Sequence, residues 1–269
     1  MSTTRGRSDG PGPPRIGPVL IAFAAVAWPA VEATAADGFE VSVGAEFSSG
    51  EYGGDQTVEE WYVPLTGWYR ADRYSLQVTV PYLRVDAPEG TIIQGPGGQP
   101  IPGEGPNVTE SGLGDVVLGL TLHDVWTAMD DSLALDVGSR VKLGTADEDK
   151  GLGTGKTDVT VQADLIRFLP RFTAIGSAGY VFRGDPDDFD LDDGFLASLG
   201  GIFRASPGVR VGAFIEYRQA SYQFNDDVVE LIGSLGWKMG GWRMFLSATA
   251  GLSDSAPDWG VGISCIPGR

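Results

Sequence analysis

The sequence predicts an all-β fold, a transmembrane antiparallel up-and-down β-barrel of about 12 strands behind an N-terminal signal peptide, and three observations lead to it. Apolar and polar residues alternate with period two in segment after segment beyond Ala36, the mark of strands with two unlike faces. The connections between these segments alternate short and long, as in barrels whose two ends meet different compartments. The composition, with 40 Gly, 17 Pro, one Cys and one His in 269 residues, argues against a helical fold, a disulfide scaffold, a Cys/His zinc site and most histidine-based catalysis. A formal net charge of −17 leaves no basic surface for phosphate, so nucleic acid is not an expected partner.

The N-terminus reads as an export signal. Arg5, Arg7 and Arg15 precede a short apolar run, Val19 to Ala27, and Ala33-Thr34-Ala35 forms a small-x-small cleavage site. The run lies between Pro18 and Pro29 and falls short of the ~20 apolar residues that a spanning helix needs. The expected division is therefore 1–35 as signal peptide and 36–269 as a single barrel domain, placed in the outer membrane.

Twelve strands are expected, at 38–47, 57–69, 74–85, 112–123, 132–143, 157–167, 172–183, 194–204, 209–219, 228–238, 242–252 and 258–265. Their lengths suit the roughly 9–11 tilted residues of a membrane-crossing strand. In 133–143, Leu133, Leu135, Val137, Val141 and Leu143 share one parity, opposed by Asp136, Arg140 and Lys142 on the other. The same split recurs in 158–165, 209–218 and 230–238. Short connections at 70–73, 124–131, 168–171, 205–208 and 239–241 alternate with longer ones, rich in Gly, Pro and acid, at 48–56, 86–111, 144–156, 184–193, 220–227 and 253–257. A soluble β-sandwich also alternates, but it does not sort its loops by length between two ends.

In lipid an open sheet edge leaves backbone groups without partners, so a β protein spans only as a closed cylinder. Closure turns the Val/Leu/Ile parity to acyl chains and the charged parity to the lumen. By parity the lumen-lining candidates are Asp115, Asp136, Arg140, Lys142, Asp158, Gln162, Asp164, Arg210, Glu216, Arg218, Glu230, Lys238 and Arg243. Opposite charges across a lumen pair and narrow it, or set ion preference when apart. Aromatics near strand ends, among them Trp61, Trp68, Tyr69, Tyr74, Trp126, Tyr180, Trp242 and Trp259, suit interfacial girdles. The 86–111 segment carries five prolines and is long enough to fold inward as a constriction or plug.

Val80-Pro81-Tyr82 closing a strand, a long Gly/Pro loop, Ser111-Gly112-Leu113-Gly114-Asp115-Val116 opening the next strand, and Gly151-Leu152-Gly153-Thr154-Gly155 with Asp158 together resemble the outer-membrane barrel family of the MetA pathway of phenol degradation. The resemblance spans about 39–264. It implies a channel or transporter for small solutes, hydrophobic or aromatic ones included, with outer-membrane lipids and the barrel-assembly machinery as partners. The chain departs from the family's usual aromatic ending with Ser264-Cys265-Ile266-Pro267-Gly268-Arg269.

Other motifs are weaker. Gly151 to Thr157 (GLGTGKT) resembles a phosphate loop, but position 150 is Lys and a strand follows where a helix is required. In the acidic 185–193 segment, ligands at Asp188, Asp190 and Asp192 would put Asp193 where a calcium loop needs Gly, so a solvated loop is expected, and binding of divalent cations that bridge anionic lipid headgroups is the alternative. His123 beside Asp124 would need an activated serine to act as a lipid hydrolase, with Ser132 and Ser139 on the following strand; a structural histidine is the preferred reading. Cys265 is solitary and shares the parity of Val261 and Ile263. No cofactor, metal site or catalytic group is therefore assigned. A structural or adhesion barrel without transport is the alternative function.

Overall fold

The computed structural model describes residues 38–95, 98–130 and 132–268, so the expected signal peptide lies outside the described residues. Thirteen strands form one antiparallel sheet: β1 (Gly38–Gly50), β2 (Val58–Arg70), β3 (Tyr74–Pro88), β4 (Asn107–Leu113), β5 (Val117–Thr127), β6 (Leu133–Lys142), β7 (Asp158–Phe168), β8 (Phe172–Phe182), β9 (Gly194–Ser206), β10 (Val209–Arg218), β11 (Val228–Met239), β12 (Trp242–Gly251) and β13 (Trp259–Pro267). Apart from β4 and β5, each strand pairs with its sequence neighbours, and β1 closes the cylinder on β13, with Val43 opposite Cys265 and Ser49 opposite Trp259. β4 and β5 both pair with β3, one along each half of its length, and share one place in the wall. The barrel is therefore twelve-stranded, with the expected strand 112–123 lengthened at its start and interrupted at Gly114–Val116.

That interruption has a local cause. Pro64 and Pro81 face each other on β2 and β3, and neither can donate a ladder hydrogen bond. Gly114 N donates to the Pro81 carbonyl at 3.0 Å, and the chain then turns Asp115 wholly inside.

The outward parity is apolar. Val43, Leu65, Val78, Leu120, Ile215 and Leu246 are all exposed, as a lipid-facing band requires. Aromatic groups edge that band at both ends: Phe47 stacks near Trp61 and Trp259 at 5.1 and 5.2 Å on the long-loop side, and Phe39 lies 4.9 Å from Tyr69 on the short-turn side. Phe39 and Phe47 both lie on β1, about 26 Å apart along a strand rising ~3.3 Å per residue. A tilt of ~40° turns this into roughly 20 Å of membrane thickness.

The 89–106 segment folds inward, as its length and prolines lead one to expect. A bridge between Ile92 and Ile101 closes it on itself, Ile93 N donates to Gly151 O at 2.8 Å, and Asn225 Nδ2 reaches Pro100 O at 3.2 Å from the loop between β10 and β11. Gly151 has φ +67, and a Cβ there would meet Thr91 O at 2.1 Å. The glycines of the phosphate-loop look-alike thus serve close packing between two loops, and the strand β7 follows them.

Candidate functional site: a layered lumen

The inward parity of the strands builds three layers, from the short turns to the long loops. Toward the short turns lies an apolar floor of Trp68, Ile166, Ile175, Ile202, Phe214, Phe245 and Ile266. These residues interrupt the polar parity of their strands, so the uniformly polar lumen expected from the alternation is a polar belt above an apolar floor. Below the floor, Glu40 holds Arg70 at 3.0 Å and pairs with Arg243; Arg70 also stacks over Trp68 at 5.6 Å.

Beside this floor, three neighbouring strands deliver a hydrogen-bonded chain. Ser75 Oγ on β3 lies 3.1 Å from His123 Nε2 on β5, and His123 Nδ1 lies 2.8 Å from Asp136 Oδ2 on β6. Asp136 Oδ1 accepts from Asp124 N at 2.9 Å. Asp124 has φ 50 at a register shift between β5 and β6, a costly conformation for a non-glycine residue. The serine that meets His123 is therefore Ser75. Ser132 is engaged by Asp130 at 2.7 Å and Arg167 at 2.7 Å, and Ser139 sits opposite Leu120 and Val161 on the outer parity. Ser75 and Asp136 are each 2% exposed, which makes the chain a fastener of β3, β5 and β6. His123→Ala is expected to lower barrel stability by about 1–3 kcal/mol by stranding Asp136 and Ser75. The check is a lower temperature for loss of the fast-migrating folded band on unboiled gels, with partial recovery in His123→Asn.

The middle layer is polar. Gln162 Nε2 donates to Asp164 Oδ1 at 2.5 Å, Thr66 and Thr79 share a hydrogen bond at 3.0 Å, and Arg140 lies within electrostatic reach of Asp164 and Glu216. Arg218 grips Glu230 at 2.5 Å and Glu216 at 3.5 Å. Glu46 and Glu60 face the same space from β1 and β2.

The upper layer closes the mouth. Lys142 Nζ is buried among Asp158 Oδ2 at 2.9 Å, Asp115 Oδ2 at 3.4 Å, Thr154 Oγ1 at 3.0 Å and the Gln94 carbonyl at 3.2 Å. The other Asp115 oxygen accepts from Thr145 N and Ala146 N, both at 2.9 Å. One ammonium thus ties the barrel wall to both inward loops. Around it Ile93 of the long loop packs with Tyr52, Val58, Tyr62, Leu83 and Leu152 in a second apolar cluster.

Eleven of the thirteen residues expected from parity take part in these layers: Asp136 with His123; Gln162, Asp164 and Arg140 in one belt group; Glu216, Arg218 and Glu230 in another; Asp115, Lys142 and Asp158 at the mouth; and Arg243 with Glu40. Arg210 and Lys238 sit apart at the short-turn rim, where Lys238 is exposed and its N–H donates to Gly208 O at 3.1 Å. The parity reading missed Glu40, Glu46, Glu60, Arg70 and Ser75. For Glu40 and Glu46 the signal was present in the first strand, where Glu40, Ser42, Gly44 and Glu46 alternate with Phe39, Val41, Val43 and Ala45.

In the acidic 185–193 loop, Asp185 accepts from Leu191 N at 3.0 Å, Asp193 from Arg183 N at 2.8 Å, and Asp187 from Lys156 Nζ at 2.7 Å. The Lys156 hydrogen bond holds the Asp187 carboxyl below its ordinary range. Among the described residues no three His, Cys, Asp or Glu side chains converge to hold a metal ion.

The same fold occurs in an outer membrane channel from Pseudomonas putida F1, whose crystal structure superposes with a TM-score of 0.71 at 15% identity over 87% of this chain and 96% of that one. A toluene transporter from P. putida and a phospholipase A from the outer membrane of Escherichia coli align over 87% and 86% of this chain and 91% and 92% of theirs, at 10% and 11% identity, but their TM-scores of 0.44 and 0.41 carry no weight. No curated protein sequence matches the chain. A family model matches residues 31–265, nearly the whole barrel and the loops that enter it, and the chain belongs to the family described as "Putative MetA-pathway of phenol degradation".

Proposed function

We propose that this chain is an outer-membrane channel or transporter for small solutes, hydrophobic and aromatic ones included, exported on residues 1–35, inserted by the barrel-assembly machinery and performing no chemistry of its own. The observation that carries the reading is the layered interior. A belt of charged and hydroxyl side chains lies between two apolar constrictions, and the upper one is built from a loop that only folds in from outside. A barrel needed only as a wall or an adhesin would have no use for a loop drawn into its mouth and tied there by a buried lysine. Asp136, Arg140, Asp164, Glu216, Arg218 and Glu230 are the lumen-lining groups of this path, with Asp115, Lys142 and Asp158 at its entrance. Family membership and the shared fold of a P. putida channel support the reading. The sealed position of Ser75 supports the non-enzymatic part, because a nucleophile must meet its substrate.

The expected result in planar bilayers is small, brief conductance steps from the wild-type barrel, together with uptake of phenol or toluene into liposomes above the protein-free rate. Absence of both would assign the protein a structural or adhesive role. Hydrolysis of phospholipid or ester substrates that disappears in His123→Ala would overturn the non-enzymatic part.

A further inference from the structure

The middle layer contains one group of charges left unbalanced. A cavity of about 30 Å³ opens between β1, β2, β11, β12 and β13, lined by Glu46, Ser48, Glu60, Tyr62, Glu230 and Thr249. Glu230 has its cation in Arg218, 2.5 Å away. Glu46 and Glu60 do not: among the described residues neither has a hydrogen bond or an ion pair, although Glu46 is only 6% exposed. The two stand on paired strands two positions out of register, Glu46 opposite Tyr62 and Glu60 opposite Ser48, a diagonal of about 7–8 Å between backbones that brings long side chains within reach of each other. Two carboxyl groups share one enclosed space with no cation supplied by the protein, so ionising both is uncompensated until a cation enters.

We infer that this cavity binds the ammonium group of an organic amine, so that solutes carrying a primary amine are a preferred class for the path. The inference rests on the channel reading above and specifies the solute. Several observations select the ligand. A compact –NH₃⁺ carries three donors and no acceptor, matching a wall of carboxylate and hydroxyl oxygens. The space admits two or three water-sized groups at about 10–15 Å³ each, which suits an ammonium better than a planar guanidinium or a whole aromatic ring. A divalent metal is disfavoured, since no three ligating side chains converge among the described residues. The organic character follows from Phe47, Pro257 and Val261, which with the Tyr62 ring supply the apolar part of the same wall. An amine seated on Glu46 and Glu60 thus has an apolar surface beside it for its hydrocarbon part.

The test is equilibrium binding to the barrel in non-ionic detergent by titration calorimetry, with benzylammonium chloride as probe and benzyl alcohol and ammonium chloride as comparison ligands. Benzylammonium is expected to bind at least about tenfold more tightly than either. Glu46→Gln and Glu60→Gln are each expected to weaken it by about tenfold or more, while Asp187→Asn on the exposed loop leaves it unchanged. Heat-modifiable migration shows that each variant folds, and Glu46→Gln is expected to be no less heat-resistant than wild type because it removes a buried charge. Equal binding of benzyl alcohol, undiminished binding in Glu46→Gln, or equal affinity for ammonium chloride would overturn the inference. Conductance of the same wild-type preparation keeps the two readings apart: conduction without amine preference sinks only the solute class, and amine binding without conduction or uptake sinks the channel.

Discussion

Lys142→Met is expected to lower the stability of the barrel by about 3–5 kcal/mol and to raise its conductance several-fold. Both effects come from one nitrogen. Its removal leaves Asp115 and Asp158, fully and nine-tenths buried, facing each other with no cation between them, and breaking a buried pair by deleting one partner costs about that much. Methionine keeps the length and the apolar stem, so the loss isolates the charge. The conductance effect follows from geometry, because the same ammonium holds the Gln94 carbonyl of the inward loop and Thr154 of the facing turn. With both contacts gone, the loop loses its tie to the barrel wall at Gln94 and keeps its backbone bonds, the packing of Ile93 and the side-chain hydrogen bonds of Gln56, Gln99 and Asn225. Lys150→Met is the control: its contact with Glu110 is 4.0 Å between side chains nearly half exposed, worth about 0–1 kcal/mol. Urea and thermal titrations by gel migration read the stability, and single-channel recordings read the opening. Equal conductance in Lys142→Met and wild type would mean that the loop is held by something other than this lysine.

The second large effect is expected at the floor. Phe214 and Phe245 project inward from β10 and β12 into one cluster with Ile166, Ile175, Ile202, Ile266 and Trp68. Truncating either to alanine should cost about 3–5 kcal/mol, and the double variant should fall short of the sum, because both rings pack in the same cluster. The double variant should also pass larger solutes in liposome swelling, since both rings belong to the inward cluster that closes the floor. Leu246→Ala provides the contrast: Leu246 adjoins Phe245 in sequence but is 44% exposed on the outer wall, so its truncation should leave permeability unchanged. If Leu246→Ala and Phe214→Ala open the barrel equally, the floor is not the constriction.

Most of the wall was legible in the sequence because period-two alternation states directly which side chains face lipid. Leu133, Val137 and Val141 declare one face and Asp136, Arg140 and Lys142 the other, and the short turns between them fix the pairing of neighbours. The layering of the interior was not legible. Ile166 follows Asp164 on the same parity, and Phe214 precedes Glu216; nothing in alternation separates an apolar residue that completes a floor from one that has strayed. The partner of His123 was hidden for a different reason. Ser75 lies 48 positions away, and β3 meets β5 only because the intervening loop and β4 fold back along the rest of β3. The break at Asp115 depends likewise on Pro81 turning the edge that lacks an N–H toward β4 and β5, an orientation that no single strand reveals. Lys142 was placed on the inward face by parity, but its role as the tie of the mouth required the fold of two loops rich in glycine and proline.

The seam between β1 and β13 sets the order in which this chain can become a barrel. Every other pairing joins segments close in the chain, β3 and β5 being separated only by β4 and its loops, and can form while the rest of the chain is still unpaired, but Val43 meets Cys265 only when the last strand arrives. Until then β1 and the growing far edge both carry unpaired backbone groups, and loop-closure entropy must be met in full before the last ladder repays it. The half-built sheet is thus the species most exposed to aggregation. Substitutions in this seam, such as Ile263→Pro opposite Ala45 on the outer wall, should act on the yield of folded barrel more than on what the finished barrel conducts.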